Sequence, residues 1–327
     1  MAHNAMYAPS TNEFSGQTES TFNMTHTEII GHLSGVFPPE ATPFNRRGGI
    51  DEGAFRANMA RHLESGLSGV LVAGSTGETP YLTDDERLRL VEIARALVKP
   101  PQLLIAGTGL ESTAQTLTIS REAIARGADA ILVVPPDYYK AAMRPEVLEA
   151  HFRAVADGVR RPLLIYSIPQ FTGFSMDPAM IGRLSRHPNI PGMKESSGNV
   201  EFNRAILSKC RKGFRLFIGN GMAAVAGLQM GAAGAILSQA NFEPLICLGI
   251  YEAFLRGDLK TAENLKKRLA LLIEEITAPH GIPGIKAAMD LSGYGGGLPR
   301  APLMPVSAAA RKKIAAALRR ARAGLDV

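Results

Sequence analysis

From residue 35 onward, short continuous apolar runs alternate with longer stretches whose apolar positions recur every three or four residues. Eight of the short runs read as strands: "GVFPPEATPF" (core near Val36 to Thr42), "SGVLVAG" (68–74), "QLLIAGTG" (102–109), "DAILVVPP" (129–136), "PLLIYSIP" (162–169), "IPGMKES" (190–196), "FRLFIGNG" (214–221) and "GAILSQAN" (234–241). They return every ~20 to 33 residues, the length of one strand, one helix and two loops. Unbroken apolarity suits parallel strands covered on both faces. The intervening stretches carry helix signals. Phe55, Met59 and Leu63 fall on one helical face. Thr83 with Glu86, and Ser112 with Gln115, have capping-box spacing, and Asp177–Pro178 reads as an N-cap followed by a first-turn proline. Eight βα units predict a closed (β/α)8 TIM barrel, with an open doubly wound sheet as the competing architecture. Three further helical stretches, near 259–277, 281–291 and 307–323, exceed what a barrel needs. The expected organisation is an N-terminal extension over 1–33, a barrel over 34–257 and a C-terminal helical subdomain over 258–327.

Composition narrows the class. Of 327 residues, 46% are hydrophobic and 20% charged, as in ordinary globular proteins. No apolar run approaches the ~18 residues of a membrane span. Cys210 and Cys247 stand far apart and the seven histidines are scattered, so neither a disulfide framework nor a metal site is expected. The first 34 residues hold acids but no lysine or arginine and no apolar leader core, which reads as a flexible extension of a cytoplasmic protein. From Arg256 onward there are 13 basic and 6 acidic residues. In "SAAARKKIAAALRRA" the basic positions alternate with alanine and leucine, so a solvated helix face accounts for them and a nucleic-acid partner is not expected.

Chemistry in such barrels gathers at the C-terminal ends of the strands. Those ends carry Thr42; Ser75, Thr76 and Gly77 in "GSTGET"; Tyr138 and Tyr139; Tyr166; Lys194 and Ser196; Asn220; and Ile236 and Ser238. A lysine closing an apolar strand ordinarily reaches solvent along its stem. This one shares a rim with tyrosines and hydroxyls, and with no histidine or carboxylate cluster, which argues against metal chemistry and against a serine–histidine triad. The set suits amine catalysis. An apolar pocket penalises an ammonium, and the free amine can attack a ketone to form a Schiff base. A tyrosine flanked by hydroxyls can relay the protons. "GSTGET" can turn backbone N–H groups onto a carboxylate; a phosphate fits less well without a P-loop lysine, and a tight strand-to-helix turn would explain the glycines alone.

"GSTGE", the tyrosine of "YSIP" and "GMKESSGN" together resemble the dihydrodipicolinate synthase / N-acetylneuraminate lyase family of class I aldolases, over about residues 34–320. The resemblance implies a Schiff base between Lys194 and pyruvate or another 2-oxo acid, with no metal or organic cofactor. It implies Tyr166 as the relay phenol, Ser75 and Thr76 as holders of the substrate carboxylate, and one of Tyr138 and Tyr139 lent to a neighbouring subunit of a homotetramer or dimer. Gly77, Ser196, Asn220, Ile236 and Phe171 complete the expected substrate wall. Synthases proper carry a carboxylate-binding arginine where this chain has Phe171. "HPNIPGMKES" and "HGIPGIKAAMDLSGYGGGLPRAPL" look closer to 4-hydroxy-2-oxoglutarate aldolases. The expected reaction is therefore cleavage of a 4-hydroxy-2-oxo acid to pyruvate and an aldehyde such as glyoxylate. The alternatives are 4-hydroxy-tetrahydrodipicolinate synthase, which condenses pyruvate with aspartate semialdehyde, and a 2-keto-3-deoxy sugar acid aldolase or dehydratase. A non-catalytic barrel sensing 2-oxo acids is the reading from another class.

Overall fold

The computed structural model describes residues 24–325. All eight expected strands are present: β1 Gly35–Phe37, β2 Gly69–Val72, β3 Leu103–Gly107, β4 Ala130–Val133, β5 Leu163–Ser167, β6 Gly192–Glu195, β7 Arg215–Ile218 and β8 Gly234–Ile236. They form one parallel sheet in the order β1-β8-β7-β6-β5-β4-β3-β2. Ser68 N–H donates to Val36 O at 2.9 Å, Leu71 N–H to Pro38 O at 3.0 Å and Glu40 N–H to Leu71 O at 2.8 Å, which brings β1 back against β2. The closed barrel is the architecture, and the open sheet is excluded.

Side chains alternate across this wall. Phe37, Leu71, Ile105, Leu132, Leu164 and Phe217 fill the interior, while Met193, Ile165 and Ile218 point outward beneath the helices. Because β5, β6 and β7 are in register at Tyr166, Lys194 and Phe217, these three share one inward-facing layer.

The helix starts follow the expected chemistry. Thr83 Oγ1 accepts from Glu86 N–H at 3.2 Å and the Glu86 carboxylate accepts from Thr83 N–H at 2.9 Å, a complete capping box. Asp177 accepts from Ala179 N–H at 3.0 Å and Met180 N–H at 3.2 Å. Ser112 caps only from its own side: its Oγ accepts from Gln115 N–H at 3.1 Å, while the Gln115 side chain meets the hydroxyl instead of the Ser112 amide.

The ends of the chain depart from the expected division. Residues 1–23 of the extension lie outside the described residues, but 24–33 belong to the folded body. Thr25 and Glu28 cap the helix His26–His32, whose Ile29, together with Leu33 just beyond it, is fully buried in the barrel-interior cluster. The apolar pair was too short to signal a helix among Ser, Thr and Asn. At the other end, Leu259–Leu272 runs into a π-helical turn Ile273–Thr277 and then the helix Ala278–Leu291, broken at Gly281, with Ala308–Arg322 last. Leu269, Leu272, Ile276 and Ile314 are continuous with the core outside the barrel wall, so this region is a layer of the same body. Among the described residues no helix is long and apolar enough to cross a membrane.

Candidate active site

A cavity of about 470 Å³ opens at the C-terminal end of the barrel. Ser75 and Thr76 reach it from the loop after β2, Tyr166, Gln170 and Phe171 from β5 and its loop, and Lys194 and Ser196 from β6. Asn220 follows β7, and Ile236, Ser238 and Gln239 come from β8 and its loop. Its outer wall is Thr277, Gly281, Ile282 and Ile285 of the C-terminal helices.

Lys194 is only 4% exposed, and its Nζ lies 3.3 Å from Tyr166 Oη and 4.3 Å from the ring centroid. Strand register produces this contact, since Tyr166 and Lys194 are direct partners across the β5–β6 ladder. Among the described residues no carboxylate lies within ion-pair distance of the amine. Glu195, the next residue, points to the other side of the wall. Burial raises its carboxyl above the usual range, against a 2.8 Å hydrogen bond from Ser197 N–H. The Ser196 hydroxyl is buried without a protein partner. A Cβ at Gly219 would sit 2.0 Å from that oxygen, so the glycine makes room for it.

The loop after β2 turns tightly. Ala73 (φ +53°) and Glu78 (φ +59°) occupy the left-handed region that side chains disfavour, on either side of the turn Ser75–Gly77. As the first residues of that turn, Ser75 and Thr76 have N–H groups that it does not use. Gly77 is not in the cavity wall, contrary to expectation. It packs behind the turn, where Thr42 Oγ1 donates to its carbonyl at 2.8 Å and a Cβ would meet Glu40 O at 2.9 Å. In the turn the glycine permits this close approach.

Tyr138, expected together with Tyr139 to offer a ring to a neighbouring subunit, stands outside this chain's own site. It is 76% exposed and does not line this chain's cavity, and it meets Tyr139 edge-on at 5.1 Å. The loop after β4 carries both rings out beyond the barrel mouth, where Glu111 accepts from the Asp137 and Tyr138 N–H groups at 3.1 and 3.0 Å. Phe171 stands at the lip, 61% exposed. Lys194 is the only cationic side chain in the cavity wall among the described residues.

Gln170, Gln239, Thr277 and the 281–285 segment were not anticipated as wall residues. Gln239 Nε2 donates to Thr277 Oγ1 at 3.0 Å, joining β8 to the π-helical turn. Only the "HGIPG" break marked this region in the sequence, because the chain reaches the cavity through helix packing and not at a strand end. Among the described residues there is no group of three or more His, Cys, Asp and Glu side chains placed to hold a metal ion.

A family model described as dihydrodipicolinate synthetase matches residues 32–321. The chain belongs to that family. A 4-hydroxy-tetrahydrodipicolinate synthase of Exiguobacterium sp. is 34% identical over 286 residues, covering 88% of this chain and 97% of the relative. One from Synechococcus sp. is 38% identical over 268 residues, covering 81% and 88%. A crystal structure of YagE from E. coli K12, a prophage protein of the dihydrodipicolinic acid synthase family in complex with pyruvate, superposes with a TM-score of 0.84 at 26% identity, covering 88% of this chain and 98% of that one. Family members are class I enzymes that work through a lysine Schiff base, and this chain is a lyase of that kind.

Proposed function

We propose that Lys194 forms an imine with C2 of pyruvate and that the protein makes or breaks a carbon–carbon bond between the derived enamine and an aldehyde. The 3.3 Å contact between Lys194 Nζ and Tyr166 Oη in a buried, otherwise apolar layer carries this reading. The amine attacks the ketone, water leaves, and the imine withdraws electrons from C3, so that C3 loses a proton to give the enamine. In the bond-forming direction the enamine attacks the aldehyde carbon and its oxygen takes a proton from Tyr166. In the reverse direction the phenolate accepts the C4 hydroxyl proton as C3–C4 breaks. Ser75 and Thr76 are positioned to hold the pyruvate carboxylate through hydroxyls and N–H groups.

For the second substrate, the names of the relatives support aspartate semialdehyde, the synthase reaction, over the 4-hydroxy-2-oxo acid cleavage expected from the motifs. One observation counts against the synthase: Phe171 stands at the lip in the place of the carboxylate-binding arginine of synthases proper, and among the described residues no guanidinium lines the cavity to make a bidentate carboxylate contact. The two are separated in one series. Protein incubated with pyruvate and reduced with borohydride gains a covalent adduct at Lys194, and Lys194→Ala gains none. Initial rates are then compared for pyruvate with aspartate semialdehyde and with glyoxylate. Faster semialdehyde turnover supports the synthase, and faster glyoxylate turnover the cleavage enzyme. No adduct with any 2-oxo acid removes the imine mechanism.

A further inference from the structure

Behind the cavity, Glu78 and Lys286 form an ion pair of 2.5 Å with both side chains essentially out of water. Lys286 Nζ also donates to Thr42 O and Leu298 O, each at 2.7 Å. It lies 4.6 Å from the Phe44 ring centroid. The second Glu78 oxygen accepts from Arg300 N–H at 2.8 Å, and the Arg300 side chain pairs with Glu86 at 2.6 Å.

The two residues of the pair stand next to opposite walls of the cavity. Glu78 closes the Ser75–Gly77 turn, its N–H donating to Ser75 O at 3.1 Å from a left-handed backbone. Lys286 directly follows Ile285 of the outer wall. Thr42 joins both, since its carbonyl takes the Lys286 proton and its hydroxyl holds Gly77 O. A buried ion pair is a poor means of stabilising a fold, and a hydrophobic pair of like volume commonly does as well. Burial pulls the Lys286 ammonium down to about 8 even with Glu78 beside it. Such a pair is better suited to fixing a geometry that apolar packing leaves loose.

We propose that the Glu78–Lys286 pair is a positioning strut: it holds the Ser75–Thr76 turn at a set distance from the C-terminal wall and so preorganises the seat for the substrate carboxylate. Neither side chain lines the cavity; both act through the turn. The inference rests on the proposed pyruvate chemistry for its kinetic consequence, but not for its structural one.

The test uses Lys286→Met and, because that variant leaves Glu78 buried without a counter-ion, the double variant Glu78→Gln/Lys286→Met as the form able to fold. The pyruvate concentration giving half-maximal borohydride trapping is expected to rise at least about tenfold, with wild-type trapping at saturation, since a misplaced seat weakens binding and leaves the amine intact. Hydrogen exchange of the amides in 73–80 is expected to quicken while that of β3 to β5 is unchanged. Half-saturation within about twofold of wild type, with melting alone lowered, makes the pair merely structural and overturns the proposal. Should wild-type protein trap no 2-oxo acid, the functional reading falls by itself. Exchange then decides the strut: faster at 73–80 supports it, and unchanged exchange there overturns it.

Discussion

Tyr166 and Lys194 can be separated experimentally because only one of them bonds to the substrate in the proposed scheme. Tyr166→Phe keeps the ring beneath the amine and removes the hydroxyl at 3.3 Å. Trapping of pyruvate is expected to persist while turnover with the aldehyde falls by about 10²–10⁴, the range for losing a positioned proton relay; equal loss of both would make the phenol a structural prop. A second residue-scale expectation concerns His62, fully buried with Nδ1 at 2.9 Å from the Glu40 carboxylate and Nε2 at 3.1 Å from Asn241 O. Burial opposes its charge, but the charge of Glu40 and these hydrogen bonds prevail, so its pKa lies above the ordinary imidazole value of about 6.5. The folded state therefore holds the proton more tightly than the unfolded chain. The stabilisation is full below about 6.5 and fades as pH rises through the folded value. Urea midpoints measured from about pH 6 to about pH 9 should fall more in wild type than in His62→Gln; parallel curves would show that the pair does not titrate in that window. Lys194 and Tyr166 were legible in the sequence because each is a polar residue interrupting an apolar strand at its C-terminal end. Glu78, Lys286 and the Glu40–His62 pair were not, because their partners are brought together only by packing across 22 to more than 200 residues of chain.

At the level of elements, the eight strands were readable because a run covered on both faces has no polar positions to obscure it. The helix His26–His32 was missed for the converse reason. It is seven residues long, and apart from Ile29, Ile30 and Leu33 nothing near it is apolar enough to announce a buried face. Its task is to close the N-terminal end of the barrel, where Ile29 and Leu33 meet the same interior cluster as Phe37, Leu103 and Ile236. An open barrel end would admit water to those side chains. Ile29→Ala should therefore lower the unfolding free energy by about 2–4 kcal/mol, as for other large-to-small changes at fully buried sites. Equilibrium denaturation measures it directly, and a loss below about 0.5 kcal/mol, typical of surface positions, would mean that the helix only rests on the barrel. The C-terminal helices show the other limit of sequence reading. Their existence followed from periodicity, but that the turn Ile273–Thr277 and the break at Gly281 wall the cavity depends on where α-helical packing fails, at a π-turn and a left-handed glycine.

For the whole molecule, the placement of Tyr138 and Tyr139 poses a question of assembly. Two aromatic rings, 76% and 72% exposed and stacked edge-to-face, stand on a loop pinned by Glu111, with exposed Val147 on the helix that follows. Large apolar side chains held rigidly in water mark a surface made to be covered. A second copy of the chain is the expected cover, with one tyrosine reaching the neighbour's cavity and completing a relay that Tyr166 begins. Wild-type protein should then sediment as a dimer or tetramer, and Tyr138→Ser/Tyr139→Ser as a smaller species with little turnover, although neither residue touches its own cavity. Complementation gives the sharper measurement. Lys194→Ala lacks the nucleophile and Tyr138→Ser/Tyr139→Ser lacks the donated ring. If the ring crosses between subunits, unfolding the two inactive variants together and refolding them should recover activity, because a mixed pair contains one site with the lysine of one chain and the tyrosine of the other. Sites complete within one chain predict no recovery at any mixing ratio. In that case the exposed rings serve association alone, and the proton relay must be sought among the hydroxyls of Ser75, Thr76 and Ser196.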